Sequence, residues 1–139
     1  MRRLIVCAVL LAGLAGQPAS AEETLYQQVG GQDGIDRIVK GAVALYVSDE
    51  RIKGDFDNIN LDRLRKKLAE QLCQITNGPC VYRGRPMKAS HAGLELTQAK
   101  FNAVAEDFQT AMEQAGIPYR TQNRVMALLA PMERDIVTR

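Results

Sequence analysis

The residue best suited to do chemistry in this sequence is His91, the only histidine in the chain. A neutral imidazole nitrogen is a common metal ligand. Pro86 can begin a short helix just before it, because the N–H group that proline lacks would have no partner in a first helical turn. Met87 and His91 would then project from one face of that helix. A thioether beside an imidazole on an apolar surface favours a site for a flat hydrophobic cofactor. A histidine without any ligand role is the alternative at this point.

The cysteines Cys73 and Cys80 form the second candidate for chemistry. A disulfide between them would close a short loop and stabilise the fold by about 2.5 kcal/mol in the chain-entropy model. A zinc site is poorly supported, because the cysteine spacing is wrong and only one histidine exists to complete a ligand set. A redox-active pair stays open as an interpretation, although the C-x-x-C pattern is absent.

Other catalytic patterns are weak in this sequence. Ser90 adjoins His91, but neighbouring residues on a helix do not face one another, so hydrolase chemistry is poorly supported. No glycine-rich phosphate loop follows a strand pattern, and no pair of acidic residues stands out for general acid–base catalysis.

Residues 1–21 have the pattern of a secretory signal peptide. Arg2 and Arg3 precede an apolar run at 4–14 that is too short to span a membrane, and residues 19–21 (Ala-Ser-Ala) give a small-residue cleavage pattern. We therefore expect a mature domain of residues 22–139 that is periplasmic or secreted, without stable membrane association. An uncleaved membrane anchor is the alternative. An oxidising compartment would favour the disulfide interpretation.

The charge of the expected mature domain is balanced. Removing residues 1–21 takes away Arg2 and Arg3 but no acid, so the 18 basic residues fall to 16 and equal the 16 acidic ones. A neutral domain of this kind gives no electrostatic reason to expect binding to nucleic acid.

Four amphipathic helices, preceded by a short helical piece at 24–29, have to position these residues. The first long helix has apolar residues at helical spacing, with Asp33 as a reasonable cap and an end near residues 48–49. Asn60 can cap the second, which carries a leucine stripe and stops at residues 77–79 (Asn-Gly-Pro).

The second half of the chain predicts two further helices. Thr97 can cap the third, which Gly116 and Pro118 end, and Thr121 can cap the fourth. Pro131 lies inside the fourth pattern and should kink it or remove one backbone hydrogen bond. No strand-like alternation of useful length occurs, so we expect an all-α domain.

The order of these features resembles the group I truncated haemoglobins. The resemblance is carried by LYQQVGG at 25–31, the phenylalanine that ends KGDF at 53–56, the Asn-Gly-Pro break, and YRGRPMKASH at 82–91. The family's double glycine is present as Gly30-Gly31. Its second copy has become Asn77-Gly78, and asparagine also tolerates the left-handed conformation. The resemblance covers residues 24–137 and implies a two-over-two truncated globin helical sandwich around haem b.

The resemblance implies that His91 is the proximal iron ligand, which leaves the sixth coordination position for a small molecule. The other ring nitrogen of His91 would then bond a backbone carbonyl. Phe56 matches the ring that stacks on the haem near the distal side. Lys67 matches a basic residue that pairs with a haem propionate, and ligation of iron by a deprotonated Lys67 is the alternative. The remaining haem-wall positions are Leu64, Leu68, Met87, Leu96, Phe101 and Val104.

The distal side departs from the best-known family members, which often use a tyrosine and a glutamine to hydrogen-bond dioxygen. The matching positions are Val43 and Leu68, with Leu64 beside them, and all three are apolar. Such a hydrogen bond is worth roughly 1.5–3 kcal/mol, so its loss would speed dioxygen release about ten- to a hundredfold. We expect a weak or easily oxidised oxygen site that favours CO and NO. Tyr46 and Gln71 are polar side chains one helical turn away that could still intervene.

These implications predict an exported haem protein that binds diatomic gases as a carrier, a sensor or a scavenger of reactive nitrogen species. The enzymatic alternative is NO dioxygenation, which needs an unidentified reductase, or peroxidase-like turnover, which gains from a distal acid–base group. A haem-free helical interaction module is the third interpretation.

Overall fold

The computed structural model describes residues 21–139, and regular structure in this range is entirely helical, which confirms the all-α prediction. The predicted signal peptide at 1–21 lies outside the described residues apart from Ala21. Two short 3₁₀ helices cover Lys53–Phe56 and Ala130–Met132. The α-helices are α1 (Leu25–Gln28), α2 (Gly31–Tyr46), α3 (Leu61–Ile75), α4 (Met87–His91), α5 (Gln98–Gln114), α6 (Tyr119–Leu129) and α7 (Glu133–Ile136).

The core is built around α2, which packs against both α3 and α5. Ile35, Ile38, Ala42 and Val43 of α2 are completely buried, and their three- and four-residue spacing places them on one helix face. Opposite them lie the buried α5 residues Ala103, Phe108, Ala111 and Met112. No helix within residues 21–139 combines the length and the apolar character needed to cross a membrane.

Glycine makes the close approach of α1 and α2 possible. Gly30 and Gly31 have φ angles of 91° and 62°, in the left-handed region that side chains disfavour. A Cβ atom on Gly34 would lie 1.8 Å from the carbonyl oxygen of Val29, which no side chain tolerates. Gly30 is the residue that precedes the first turn of α2, so the prediction that Asp33 caps this helix is wrong. Asp33 instead lies in the first turn, where its charge favours the positive end of the helix dipole.

The end of α3 is fixed by a turn and a disulfide. Asn60 caps the start of this helix, as predicted, by accepting a hydrogen bond from a backbone N–H of the first turn. Asn77 adopts φ 63° just after the helix, and the Gly78 N–H donates to the Cys73 carbonyl at 2.8 Å. Cys73 and Cys80 are joined by a disulfide with their Cα atoms 5.7 Å apart. The bond ties the end of α3 to the segment that leads into α4.

The helix boundaries in the second half differ partly from the predictions. Thr97 caps α5, as predicted, by accepting a hydrogen bond from a backbone N–H of the first turn. Thr121 does not cap α6, because the helix begins at Tyr119 directly after Pro118 and Thr121 is buried within the first turn. Pro131 interrupts the last predicted helix, which is divided into α6, the second 3₁₀ helix and α7, since proline has no N–H to donate to the preceding turn.

Candidate functional site

His91 is the last residue of α4, a helix of five residues that begins after Pro86. Its Nδ1 atom lies 2.8 Å from the backbone carbonyl oxygen of Met87, one turn earlier. Because a carbonyl can only accept, Nδ1 carries a proton, and in the neutral form of the ring Nε2 then has the free lone pair. Nε2 has no hydrogen-bond partner within residues 21–139. The half-buried ring is therefore oriented as a metal-ligating imidazole is, with one nitrogen anchored and the other available.

The segment before α4 is held by hydrogen bonds to its own backbone and to α3. The carbonyl oxygen of Arg85 accepts from the hydroxyl groups of Tyr82, at 2.9 Å, and Ser90, at 3.2 Å. The Tyr82 N–H donates to the side-chain oxygen of Gln74 on α3 at 2.6 Å. Helices as short as α4 are marginal alone, so these contacts and the packing of α4 against α7 fix the position of His91.

The other predicted wall residues share an intermediate burial that distinguishes them from the core. Large apolar side chains that remain partly uncovered can pack against a flat apolar group. Four of them pack against the buried core, namely Phe56, Leu64, Leu68 and Val104. The half-buried set as a whole comprises Phe56, Leu64, Lys67, Leu68, Met87, His91, Leu96, Phe101 and Val104.

The predicted distal positions form an apolar surface between α2 and α3. Val43 is completely buried on α2, and Leu64 and Leu68 are half-buried on α3. Each is packed within or against the same hydrophobic cluster. The half-buried Leu64 and Leu68 offer van der Waals contact to a small molecule, whereas Val43 belongs to the buried core. None of the three side chains carries a hydrogen-bond donor.

Tyr46 is engaged with Phe56 rather than standing free. The two rings stack with centroids 5.3 Å apart and planes 17° from parallel. Burial of the Tyr46 hydroxyl raises its pKa far above the ordinary value, and the negative charge of Asp107 raises it further. Asp107 is itself buried, one of its oxygens has no partner in the described part of the chain, and burial followed by the charge of Asp49 raises its pKa.

Lys67 is paired within α3. Its Nζ atom donates to the carboxylate of Glu70 at 2.6 Å, and both side chains are largely covered. This hydrogen bond, together with the backbone N–H of Arg83, holds the pKa of Glu70 below its usual value. Glu70 is not among the predicted site residues, although a carboxylate three residues after a lysine on a helix signals such a pair.

Gln71 bridges elements that the sequence could not place together. Its side-chain Nε2 donates to the sulfur of Met87 at 3.4 Å and lies 3.7 Å from the sulfur of Met132. Met132 was also not selected, since its contact with α3 depends entirely on the tertiary fold.

Comparison with known proteins identifies relatives along nearly the whole described range. The family model for bacterial-like globins matches residues 24–138. A group 1 truncated haemoglobin of Mycolicibacterium paratuberculosis is 31% identical over 122 residues, which cover 88% of this chain and 87% of the relative. A group 1 truncated haemoglobin of Nostoc commune is 30% identical over 116 residues, covering 84% of this chain and 98% of the relative.

Solved structures share the arrangement of helices. The truncated haemoglobin of Tetrahymena pyriformis in its Fe(III) form superposes with a TM-score of 0.81 at 24% identity, covering 84% of this chain and all of that one. The 2/2 haemoglobin of a Synechococcus species, with covalently attached haem, gives a TM-score of 0.78 at 21% identity, again covering 84% of this chain and all of that one. The predicted two-over-two helical sandwich is therefore confirmed.

Proposed function

We propose, since the chain belongs to the bacterial-like globin family, that it binds haem b with His91 as the iron ligand and takes diatomic gases at the iron. The observation that carries the proposal is the bond from His91 Nδ1 to the Met87 carbonyl, which leaves Nε2 with its lone pair. His91 would hold the haem, and the haem would supply an iron that can bind O₂, CO or NO.

The half-buried apolar residues support the fit of a haem. A porphyrin is flat and apolar over most of its surface, and it needs side chains on both faces that the protein core does not already cover. Phe56, Leu64 and Leu68 provide such side chains before and within α3, and Phe101 and Val104 provide them on α5. Met87 and Leu96 complete the proposed wall on either side of His91.

Lys67 is the proposed partner of a haem propionate. Its ammonium group already forms an ion pair with the carboxylate of Glu70. A haem propionate would either share Lys67 with Glu70 or take the place of Glu70 in this pair. Ligation of iron by Lys67 would require the loss of this ion pair and of a proton. The structure therefore favours the propionate role over the iron-ligand role for this lysine.

The distal surface supports weak retention of dioxygen. Val43, Leu64 and Leu68 have no donor. Of the polar side chains nearby, the Gln71 amide bonds methionine sulfur, and Tyr46 is buried with its ring stacked on Phe56. CO and NO depend less on a hydrogen bond than dioxygen does, so this apolar surface should favour them. Binding rather than turnover is the proposed role, and steady-state NO consumption with a reductant is the measurement that would identify an enzyme instead.

Export of the chain is a separate part of the proposal. The signal-peptide pattern at 1–21 and the bond between Cys73 and Cys80 both suit an oxidising compartment such as the periplasm. The expected mature N-terminus is Glu22. Mass spectrometry of the protein recovered from a periplasmic extract tests this, and an intact N-terminus at Met1 would contradict it.

The function is tested by titrating haemin into the purified haem-free chain and recording absorption spectra of the ferric, ferrous and CO forms. We expect saturation at one haem per chain and a CO-induced change in the ferrous Soret band. Absence of a Soret band from the protein fraction after haem addition would support the haem-free interaction module and refute the proposal.

A further inference from the structure

One side-chain amide connects the two walls of the proposed haem site. Gln71 on α3 donates from Nε2 to the sulfur of Met87, the first residue of α4, at 3.4 Å. The sulfur of Met132, at the end of the second 3₁₀ helix, lies 3.7 Å from the same nitrogen. An amide NH₂ group has two hydrogens, so both can be directed to sulfur acceptors.

Met87 also contains the group that orients His91. Its backbone carbonyl accepts from His91 Nδ1 at 2.8 Å, while its side chain accepts from Gln71. The anchor of the proximal imidazole and the contact to the opposite helix therefore belong to one residue. A shift of Met87 relative to α3 would shift the carbonyl that holds the His91 ring.

The construction of α4 makes it sensitive to this contact. The helix has five residues, Pro86 before it offers no side-chain cap, and an extended residue, Ala92, follows it. So short a helix is not stable by itself and takes its position from tertiary contacts. The bond from Gln71 is a direct side-chain link between α3 and the first residue of this helix.

We infer that Gln71 is a positioning residue for the proximal ligand, acting through Met87 to fix the orientation of His91. The role of His91 as iron ligand rests on the proposed function. The bonds from Gln71 to Met87 and from His91 to Met87 are present in the haem-free chain and do not depend on it. Gln71 thereby belongs to the support of the proximal side, although its helix supplies the distal surface.

The first test uses the haem-free chain and the exchange rate of the His91 ring proton, followed by NMR in Gln71→Leu and Met87→Leu. Loss of a hydrogen bond worth about 0.5–1.5 kcal/mol should speed exchange roughly two- to tenfold in each variant. The double variant should exchange no faster than the single ones, because both changes remove the same bond. Gln98→Leu is the matched control, since Gln98 bonds Asn102 within α5 and should leave the rate unchanged.

The second test uses the haem-loaded ferrous protein and the iron–histidine stretching band in its resonance Raman spectrum. We expect Gln71→Leu and Met87→Leu to shift this band in the same direction, with Gln98→Leu at the wild-type position. An unchanged band and an unchanged proton exchange rate in Gln71→Leu would overturn the inference. So would a variant that changes only dioxygen release, because Gln71 would then act on the distal ligand. Failure of the proposed function is distinguishable, since the wild-type protein would then show no iron–histidine band at all.

Discussion

Replacing Leu68 by glutamine should convert the apolar distal surface into one that retains dioxygen. Leu68 is half-buried on α3, and leucine and glutamine are similar in size and helix propensity, so the change should not disturb the fold. The equivalent change at Val43 is less suitable. That side chain is completely buried, and a tyrosine there would overpack the core at a cost of about 1–3 kcal/mol.

The expected magnitude follows from the hydrogen bond that the new amide can donate. A bond to an acceptor with partial negative charge contributes about 1.5–3 kcal/mol, which corresponds to dioxygen release about ten- to a hundredfold slower than in the wild type. Stopped-flow replacement of dioxygen by CO measures this rate. CO carries little charge and accepts weakly, so its own release should change much less.

Leu68→Met is the matched control, because methionine has a similar volume and no donor. Its dioxygen release should remain close to the wild-type rate. Equal slowing in the methionine and glutamine variants would indicate a steric effect. If the wild type already released dioxygen as slowly as Leu68→Gln, the proposal of an apolar distal surface would be refuted, because a hydrogen-bond donor would then be present there.

Three further changes test the fold. The double variant Cys73→Ser, Cys80→Ser should lose about 2.5 kcal/mol of unfolding free energy in urea titrations, and reductant should produce a comparable loss in the wild type only. Gly34→Ala should lower the free energy of unfolding by about 3 kcal/mol or more, because the added Cβ would lie 1.8 Å from a backbone oxygen. Gly54→Ala is the control and should leave stability nearly unchanged, because a Cβ there meets nothing within 4 Å. Equal melting temperatures of the two variants would contradict this prediction. Burial raises the pKa of Asp107, so the charged carboxylate destabilises the folded state at neutral pH, and this destabilisation disappears below about pH 4. The variant Asp107→Asn should therefore have a higher melting temperature than the wild type at pH 7 but not at pH 3. A lower melting temperature of the variant at pH 7 would count against the reasoning.

Local sequence signals were sufficient for the long helices of the fold. The spacing of buried residues such as Ile35, Ile38 and Val39 defined α2, and Asn60 and Thr97 correctly marked two helix starts. The caps assigned to Asp33 and Thr121 were wrong. The helix α2 begins directly after Gly30, and α6 begins directly after Pro118. Both helices therefore start earlier in the chain than the polar residues Asp33 and Thr121 predicted.

Only those parts of the candidate site that the type of a residue and its neighbours in sequence reveal could be predicted. His91 could be selected because it is the single histidine and because its surroundings resemble a known motif. The partners of Gln71 could not be predicted, because Met87 and Met132 reach α3 only through the tertiary packing of three elements. Likewise, the stacking of Tyr46 on Phe56 joins α2 to a 3₁₀ helix whose path the sequence does not specify.

The most direct test of the central claim is the absorption spectrum of His91→Gly with and without added imidazole. If His91 binds the iron, the ferrous-CO spectrum of the haem-loaded variant should differ from that of the wild type, and free imidazole should restore it by occupying the space left by the side chain. A variant that shows the wild-type spectrum without imidazole would contradict the account.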